Sequence, residues 1–169
     1  MEKLLIFLMV FASALYIWGK DVEISIMDRA YRSVQYGLEH AVHDGALQIQ
    51  KDRVSSGKIL FDKLKAEQAI VTTIRKNIPV DSSLRPLSSP SLLKEPLLIR
   101  DIIYLDHDYI DPKTAAVVKF PFMFSYTIPN GEVLDRAVFG PSIALVVDVS
   151  VKGGDGYKTY VTIQEYKKP

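Results

Sequence analysis

The three histidines are the side chains best suited to metal or acid–base chemistry. His40 and His43 lie three residues apart and Asp44 follows, so a helix would present them together. His107 lies further along, in an acidic segment. Imidazole and carboxylate groups converging on one point at about 2 Å would suit zinc or manganese. These four residues are the candidate metal ligands, although a solvated helix face is the simpler interpretation of the first three.

The acidic segment 106–111 suggests a second kind of metal site. Asp106, Asp108 and Asp111 supply hard oxygen ligands at nearly alternating positions, as in part of a calcium loop. The glycine and the final glutamate that such a loop uses are both missing. We therefore favour a turn whose aspartates make local backbone hydrogen bonds.

Other catalytic signatures are missing from the sequence. There is no cysteine, no Gly-x-Ser-x-Gly elbow and no His-Glu-x-x-His motif, and Ser56-Gly57-Lys58 lacks the upstream glycine of a phosphate loop. The 21 basic and 20 acidic residues give a net charge of +1 without long runs, which disfavours nucleic-acid binding. We predict that the chain has no catalytic residue and no cofactor. Its sequence is more typical of a protein that is not an enzyme.

The N-terminus contains a continuous apolar run. Residues 4–18 contain no charge, proline or glycine and lie between Lys3 and Lys20. As a helix this run would be about 24 Å long, close to the hydrocarbon thickness of about 30 Å. It is predicted to be a membrane anchor, in which the characteristic apolar and interfacial residues are Leu4, Phe7, Phe11, Tyr16 and Trp18.

Two other interpretations of this run remain open. Ala12-Ser13-Ala14 has the small-x-small form of a signal-peptidase site, so the segment could be removed after Ala14. It could also be the core helix of a soluble protein. We favour a retained single-pass anchor over residues 1–20 in the cell membrane. Short N-terminal tails normally stay in the cytoplasm, so residues 21–169 would form one exported domain.

The exported domain begins with helical periodicity. Apolar residues recur in steps of three and four over 21–53, which predicts an amphipathic helix continuing from the anchor. Gly37 and Gly45 within it suggest close packing against a neighbouring element. A second helix is predicted over 59–78, and its apolar face would contain Leu60, Leu64, Ile70, Val71, Ile74 and Ile78. Residues 79–96, rich in proline and serine, are predicted to be an ordered connector.

The last part, 97–169, changes to the alternation typical of strands. Strands are predicted at 97–105, 121–127, 132–139, 143–151 and 157–166, with a hairpin turn at Pro129-Asn130-Gly131. Phe120, Phe122, Phe124 and Tyr126 would be core residues or, if exposed, a binding platform. The expected fold is α+β, with an antiparallel sheet of about four to five strands that has one face on the helices and one in water.

This order of elements resembles type IV pilin-like and TadE-like pilus-assembly proteins. The apolar stretch is not preceded by a leader glycine, and no acidic residue lies between Leu4 and Gly19. The resemblance is therefore closer to TadE-like anchored minor components than to major filament subunits. It implies a structural role at the cell surface, with the membrane, other anchored or pilin-like proteins, or a second copy as partners. Gly37 and Gly45 would then lie where helices approach each other.

Two other functions remain as alternatives. A membrane-tethered ligand-binding or sensor module would show a concave apolar pocket with a few convergent polar groups. A metal-dependent enzyme would use His40, His43 and acidic residues. Assembly through the first helix would instead require an exposed apolar stripe that continues from the anchor along its outer half.

Overall fold

The computed structural model describes residues 2–87, 91–129 and 131–168, with residue 2 described by its backbone only. Asn130 of the predicted hairpin turn and residues 88–90 of the predicted connector lie outside the described residues. The predicted α+β class is confirmed: helices come first in the chain and antiparallel strands follow.

One helix, α1, runs without a break from Glu2 to Ala46. The sequence predicted helical structure to residue 53, and this end was wrong. After Leu47 the backbone amide of Gln50 donates to the carbonyl of Leu60 at 2.8 Å, and Ile49 pairs with Phe61 as an isolated bridge. This extended pairing replaces further helical turns, and Lys51–Val54 forms only a separate single turn, α2.

The second long helix, α3, spans Lys63–Asn77, which is shorter than the predicted 59–78. The Asp62 carboxylate accepts from the backbone amide of Lys65 at 3.2 Å and so caps the start of the helix. Ile78, which precedes Pro79, is extended and ends it. The predicted apolar face is partly wrong, because Leu64 is exposed and Leu60 lies before the helix. The buried residues of α3 are Ala66, Ile70, Thr73 and Ile74.

The main sheet has three antiparallel strands in the order β1-β6-β7. These strands are β1 (Leu98–Leu105), β6 (Ser142–Val149) and β7 (Lys158–Glu165). Ile143, Leu145, Val147 and Val149 of β6 belong to one buried cluster with residues of α1 and α3. The two helices therefore cover one face of this sheet.

The other face is covered as well, by the hairpin of β4 (Phe122–Thr127) and β5 (Val133–Val138). Phe124 and Val138 pack with Leu105 and Ala144 in a second buried cluster. The prediction of one wet face was wrong, because all of β6 is buried. The aromatic residues of β4 belong to the core of this second layer. Two further strands, β2 (Ile110–Asp111) and β3 (Ala116–Val117), form a small hairpin that the sequence did not predict.

Candidate functional site

The histidines do not form a metal centre with the other described residues. His40 and His43 are exposed on α1, whereas the Asp44 carboxylate accepts from the Thr73 hydroxyl at 2.6 Å and links α1 to α3. His107 is half-buried, with its Nδ1 3.1 Å from the backbone nitrogen of Ile59. Within 2–87, 91–129 and 131–168, no group of three or more histidine, aspartate or glutamate side chains could hold a metal ion.

The carboxylates of the acidic segment make hydrogen bonds within the chain. The buried Asp106 carboxylate accepts from the backbone amides of Phe61 at 3.4 Å and Asp108 at 3.1 Å. Asp108 pairs with Lys58 at 2.8 Å, and this hydrogen bond lowers the pKa of the Asp108 carboxyl. Asp111 accepts from groups two and three residues further on. The bonds from the amides of Asp108 and Lys113 are local backbone bonds of the kind predicted for a turn, whereas those to Phe61 and Lys58 join distant parts of the chain.

The most distinctive surface is the bare segment, residues 3–26 of α1, in which every residue is exposed. The helix is long and apolar enough to cross a membrane, and none of its apolar window is buried inside the protein. The core-helix interpretation was therefore wrong. The predicted anchor residues Leu4, Phe7, Phe11, Tyr16 and Trp18 are all 52–68% exposed. An apolar surface of this extent is rarely left in water by monomeric proteins.

Beyond the bare segment, α1 enters the head, the part of the described chain from Met27 onward. Ala30, Val34 and Leu38 are buried against the sheet and α3. A Cβ atom added at Gly37 would lie 2.8 Å from Cγ1 of Ile78, and one at Gly45 would lie 2.7 Å from Cγ1 of Ile70. The structure thus places both glycines against the chain's own α3.

The exposed apolar stripe consequently stops near Ile26. The outer half of α1, which the pilin-like resemblance would use for contacts with other helices, is occupied by the protein's own sheet and α3. Tyr36 is an exception, since its ring lies on the opposite, solvent-facing side and is exposed. Assembly through the outer half of α1 therefore loses its main support, whereas the bare segment remains available.

A second unpartnered surface is the outer edge of β7. Among the described residues, no strand pairs with this edge, because β7 is the last strand of its sheet. A groove of about 500 Å³ runs along it between α1, at Gln35 and Glu39, and the end of β5, next to the exposed Phe139. Sequence reasoning missed this edge, since alternation identifies a strand without giving its neighbours.

The strand β7 runs in the same direction as α1. Glu23 lies beside Gly153 before the strand begins, and the rings of Tyr31 and Tyr160 are 6.2 Å apart. Gln35 then lines the same groove as residues 160–165. Burial, together with the nearby Tyr31 and Asp28, raises the pKa of the Tyr160 phenol to about 12. The helix and the edge strand therefore point away from the bare segment side by side.

The structure also bears on the ligand-binding alternative. An apolar cavity between α1 and the end of α3, lined by Val34, Ile78 and Leu93, has a volume of about 90 Å³. Pockets for drug-sized ligands usually have volumes of about 300–1,000 Å³. The groove along β7 is large enough but open. Neither cavity is the concave apolar pocket that this alternative requires.

The chain matches no family model, and no curated protein or solved structure is significantly similar to it. The pilin-like resemblance thus rests on the order of elements. The bare segment and the β7 edge are two surfaces of the described chain that lack a partner within it.

Proposed function

We propose that this chain is a non-enzymatic, single-pass membrane protein whose exported head is a structural or assembly component at the cell surface, as in pilin-like systems. The observation that carries the proposal is the bare segment, which is continuous with the helix that packs on the sheet and on α3 of the head. A helix of this kind holds the head at a fixed place above a bilayer.

Burial of the bare segment in lipid is the simplest way to remove its apolar surface from water. The uncharged run 4–18 is slightly short for the hydrocarbon layer, and the exposed Val22, Ile24 and Ile26 can extend it. Lys3 and Lys20 can place their ammonium groups at the two interfaces. Their positions match the ends of a marginal span.

Retention of the anchor is favoured over cleavage after Ala14. Cleavage there would leave a helix that still begins with the exposed Leu15, Tyr16, Ile17 and Trp18. A secreted head would then carry a large apolar stub in water, at a cost in solubility. A retained anchor leaves no such surface exposed.

In this proposal, the head meets an adjacent component along β7. If two copies paired their β7 strands antiparallel, a two-fold axis normal to the sheet would relate them. Because α1 runs in the same direction as β7, the two α1 helices would then point in opposite directions. Two anchors in one membrane cannot satisfy this. The other edge of the sheet, β1, is interrupted by a bulge at Arg100. An extended segment of a different component therefore fits the β7 groove best.

The anchor is tested by placing a charge in its middle. We expect Phe11→Arg to weaken membrane insertion by about 3 kcal/mol, or about 100-fold in partition, because arginine is costly at the centre of a spanning helix. The matched control is Tyr36→Arg, which changes a similarly exposed aromatic residue of α1 within the head. The measurement is the fraction of full-length protein that remains in membranes after an alkaline wash.

The side of the membrane is tested in the same cells. External protease should digest the head in cells whose outer barrier has been opened, while the cytoplasm stays intact. Wild-type protein recovered without detergent as a soluble monomer would contradict the anchor. A head protected from external protease would contradict export.

A further inference from the structure

We propose that the β6–β7 turn, residues 150–157, rests on the phospholipid headgroup layer of the membrane that holds the anchor. The contact would position the head against the membrane surface, so that it is not held out on a stalk. This inference deepens the proposed function and rests on the bare segment being a retained anchor.

The first support is the short distance between the anchor and the turn. Glu23 lies five residues beyond Trp18, which is about 8 Å along a helix. A Cβ atom at Gly153 would lie 3.8 Å from Oε1 of Glu23, so the turn is at the level of that residue. The headgroup layer of one leaflet is about 5–8 Å thick, from the difference between total and hydrocarbon thickness. The turn therefore lies at the depth of the headgroups.

The short span strengthens this placement. The uncharged run 4–18 is shorter than the hydrocarbon layer, so the residues that follow it are drawn toward the bilayer. Lys20 and Glu23 form an ion pair at 2.8 Å on the exposed helix surface, as groups at a polar interface can.

The second support is that the turn is fixed to α1. A Cβ atom at Gly154 would lie 2.8 Å from the Tyr31 hydroxyl oxygen, so the turn packs directly on the helix. Nζ of Lys158 lies 5.1 Å from the ring centre of Tyr31 and 5.4 Å from that of Tyr160. Since α1 has no break at Gly19, one continuous helix joins the anchor to the residues on which the turn packs.

The third support is the chemistry of the turn and its neighbouring loop. Tyr157 is 44% exposed, and tyrosine is enriched where one end of a side chain meets lipid and the other meets water. Lys152 and Lys158 are exposed beside it. The amide of Lys152 donates to the carbonyl of Leu92 at 2.9 Å, which places the exposed Leu92 and Lys94 at the same end.

These side chains fit the phosphate and acyl boundary of glycerophospholipids. Lysine ammonium groups pair with phosphate, and their stems cover apolar surface. Asp155, Glu95 and Glu23 are exposed acidic residues at this end, and they offset much of the positive charge. The contact therefore depends on the interface as a whole and not on a strongly anionic lipid.

The test places a single tryptophan at the turn. Trp18 is the one tryptophan of the chain, so Trp18→Phe removes the native tryptophan fluorescence and leaves Tyr157→Trp as the only tryptophan probe. The matched control is Phe139→Trp in the same background, because Phe139 is 70% exposed and precedes Gly140, which adjoins Glu165 at the far end of β7. The full-length variants are reconstituted in phosphatidylcholine vesicles that contain lipid with a nitroxide on its headgroup.

We expect the probe at position 157 to be quenched several-fold more strongly than the probe at position 139. Equal quenching at the two positions would overturn the headgroup contact. Native Trp18, in the unsubstituted protein, reports on the anchor separately through lipids brominated in their acyl chains. If Trp18 is quenched and the two probes are equal, only this inference fails, whereas an unquenched Trp18 would overturn the anchor and the inference together.

Discussion

Substitution of Gly45 tests the contact that fixes α1 to α3. A methyl group at this position would lie 2.7 Å from Cγ1 and 2.9 Å from Cδ1 of Ile70. Ile70 is fully buried and branched at Cβ, so it has little room to move. We therefore expect Gly45→Ala to destabilise the head, although alanine is the better helix former.

Two opposing terms set the magnitude. The helix propensity of alanine should stabilise α1 by about 1 kcal/mol relative to glycine. Overpacking of a filled core costs about 1–3 kcal/mol. The expected net loss is about 0–2 kcal/mol, which lowers the unfolding temperature by about 3–4 °C for each kcal/mol lost.

A double-mutant cycle separates the clash from the propensity. Ile70→Ala removes both atoms that the new methyl would meet and should itself cost about 2–5 kcal/mol. In that background Gly45→Ala should become neutral or stabilising, which gives a coupling free energy of about 1–3 kcal/mol. The assay is reversible urea unfolding of the full-length protein in detergent micelles, followed by near-ultraviolet circular dichroism.

The control is Gly19→Ala, which makes the same change on the same helix where no atom lies within 4 Å of the new Cβ. We expect it to leave the unfolding of the head unchanged. The packing described here would be refuted if Gly45→Ala had the same effect in the wild-type and Ile70→Ala backgrounds. Equal effects would mean that the new methyl group does not contact Ile70.

The sheet offers three further tests. Asp148→Asn should cost about 1–3 kcal/mol in urea unfolding, because the buried Asp148 carboxylate pairs with the half-exposed Arg100 at 2.6 Å. Leu145→Ala should cost about 2–5 kcal/mol in the same assay, since Leu145 is buried in the central strand. Burial raises the pKa of Tyr160 from 10.0 to about 12, so the folded head binds more protons there. Stability should therefore fall as pH rises through this window, and less steeply in Tyr160→Phe; equal slopes would contradict the assignment.

The strands could be located from the sequence because local signals specified them. The alternation of Phe122, Phe124 and Tyr126, together with the glycine of the predicted turn, was enough to place β4 and β5. Gly131 has a φ of 88°, a conformation that glycine adopts without strain. The five predicted strands are all present, and each of their ends lies within two residues of the predicted position.

The layers could not be predicted as well. The β4–β5 layer on the second face of the sheet had one signal in the sequence. Ala144 and Val146, which lie between the alternating residues of β6, are also apolar, and a continuous apolar run is typical of a strand buried on both faces. The end of α1 had no local signal, because Ile49 continues the helical period. Ile49 pairs with Phe61 instead, and hydrophobic periodicity cannot predict a contact between residues that are distant in sequence. The free edge of β7 likewise depends on strand order.

The unbroken α1 has a consequence for how neighbours meet this protein. A helix turns by about 100° and rises by about 1.5 Å for each residue, so the direction in which the β7 groove points is set by the rotation of the helix in the bilayer. A membrane protein that binds one side of the anchor therefore also determines which side of the head faces it. One residue inserted beside Gly19 would swing the groove through more than a quarter of a circle and scarcely change its height.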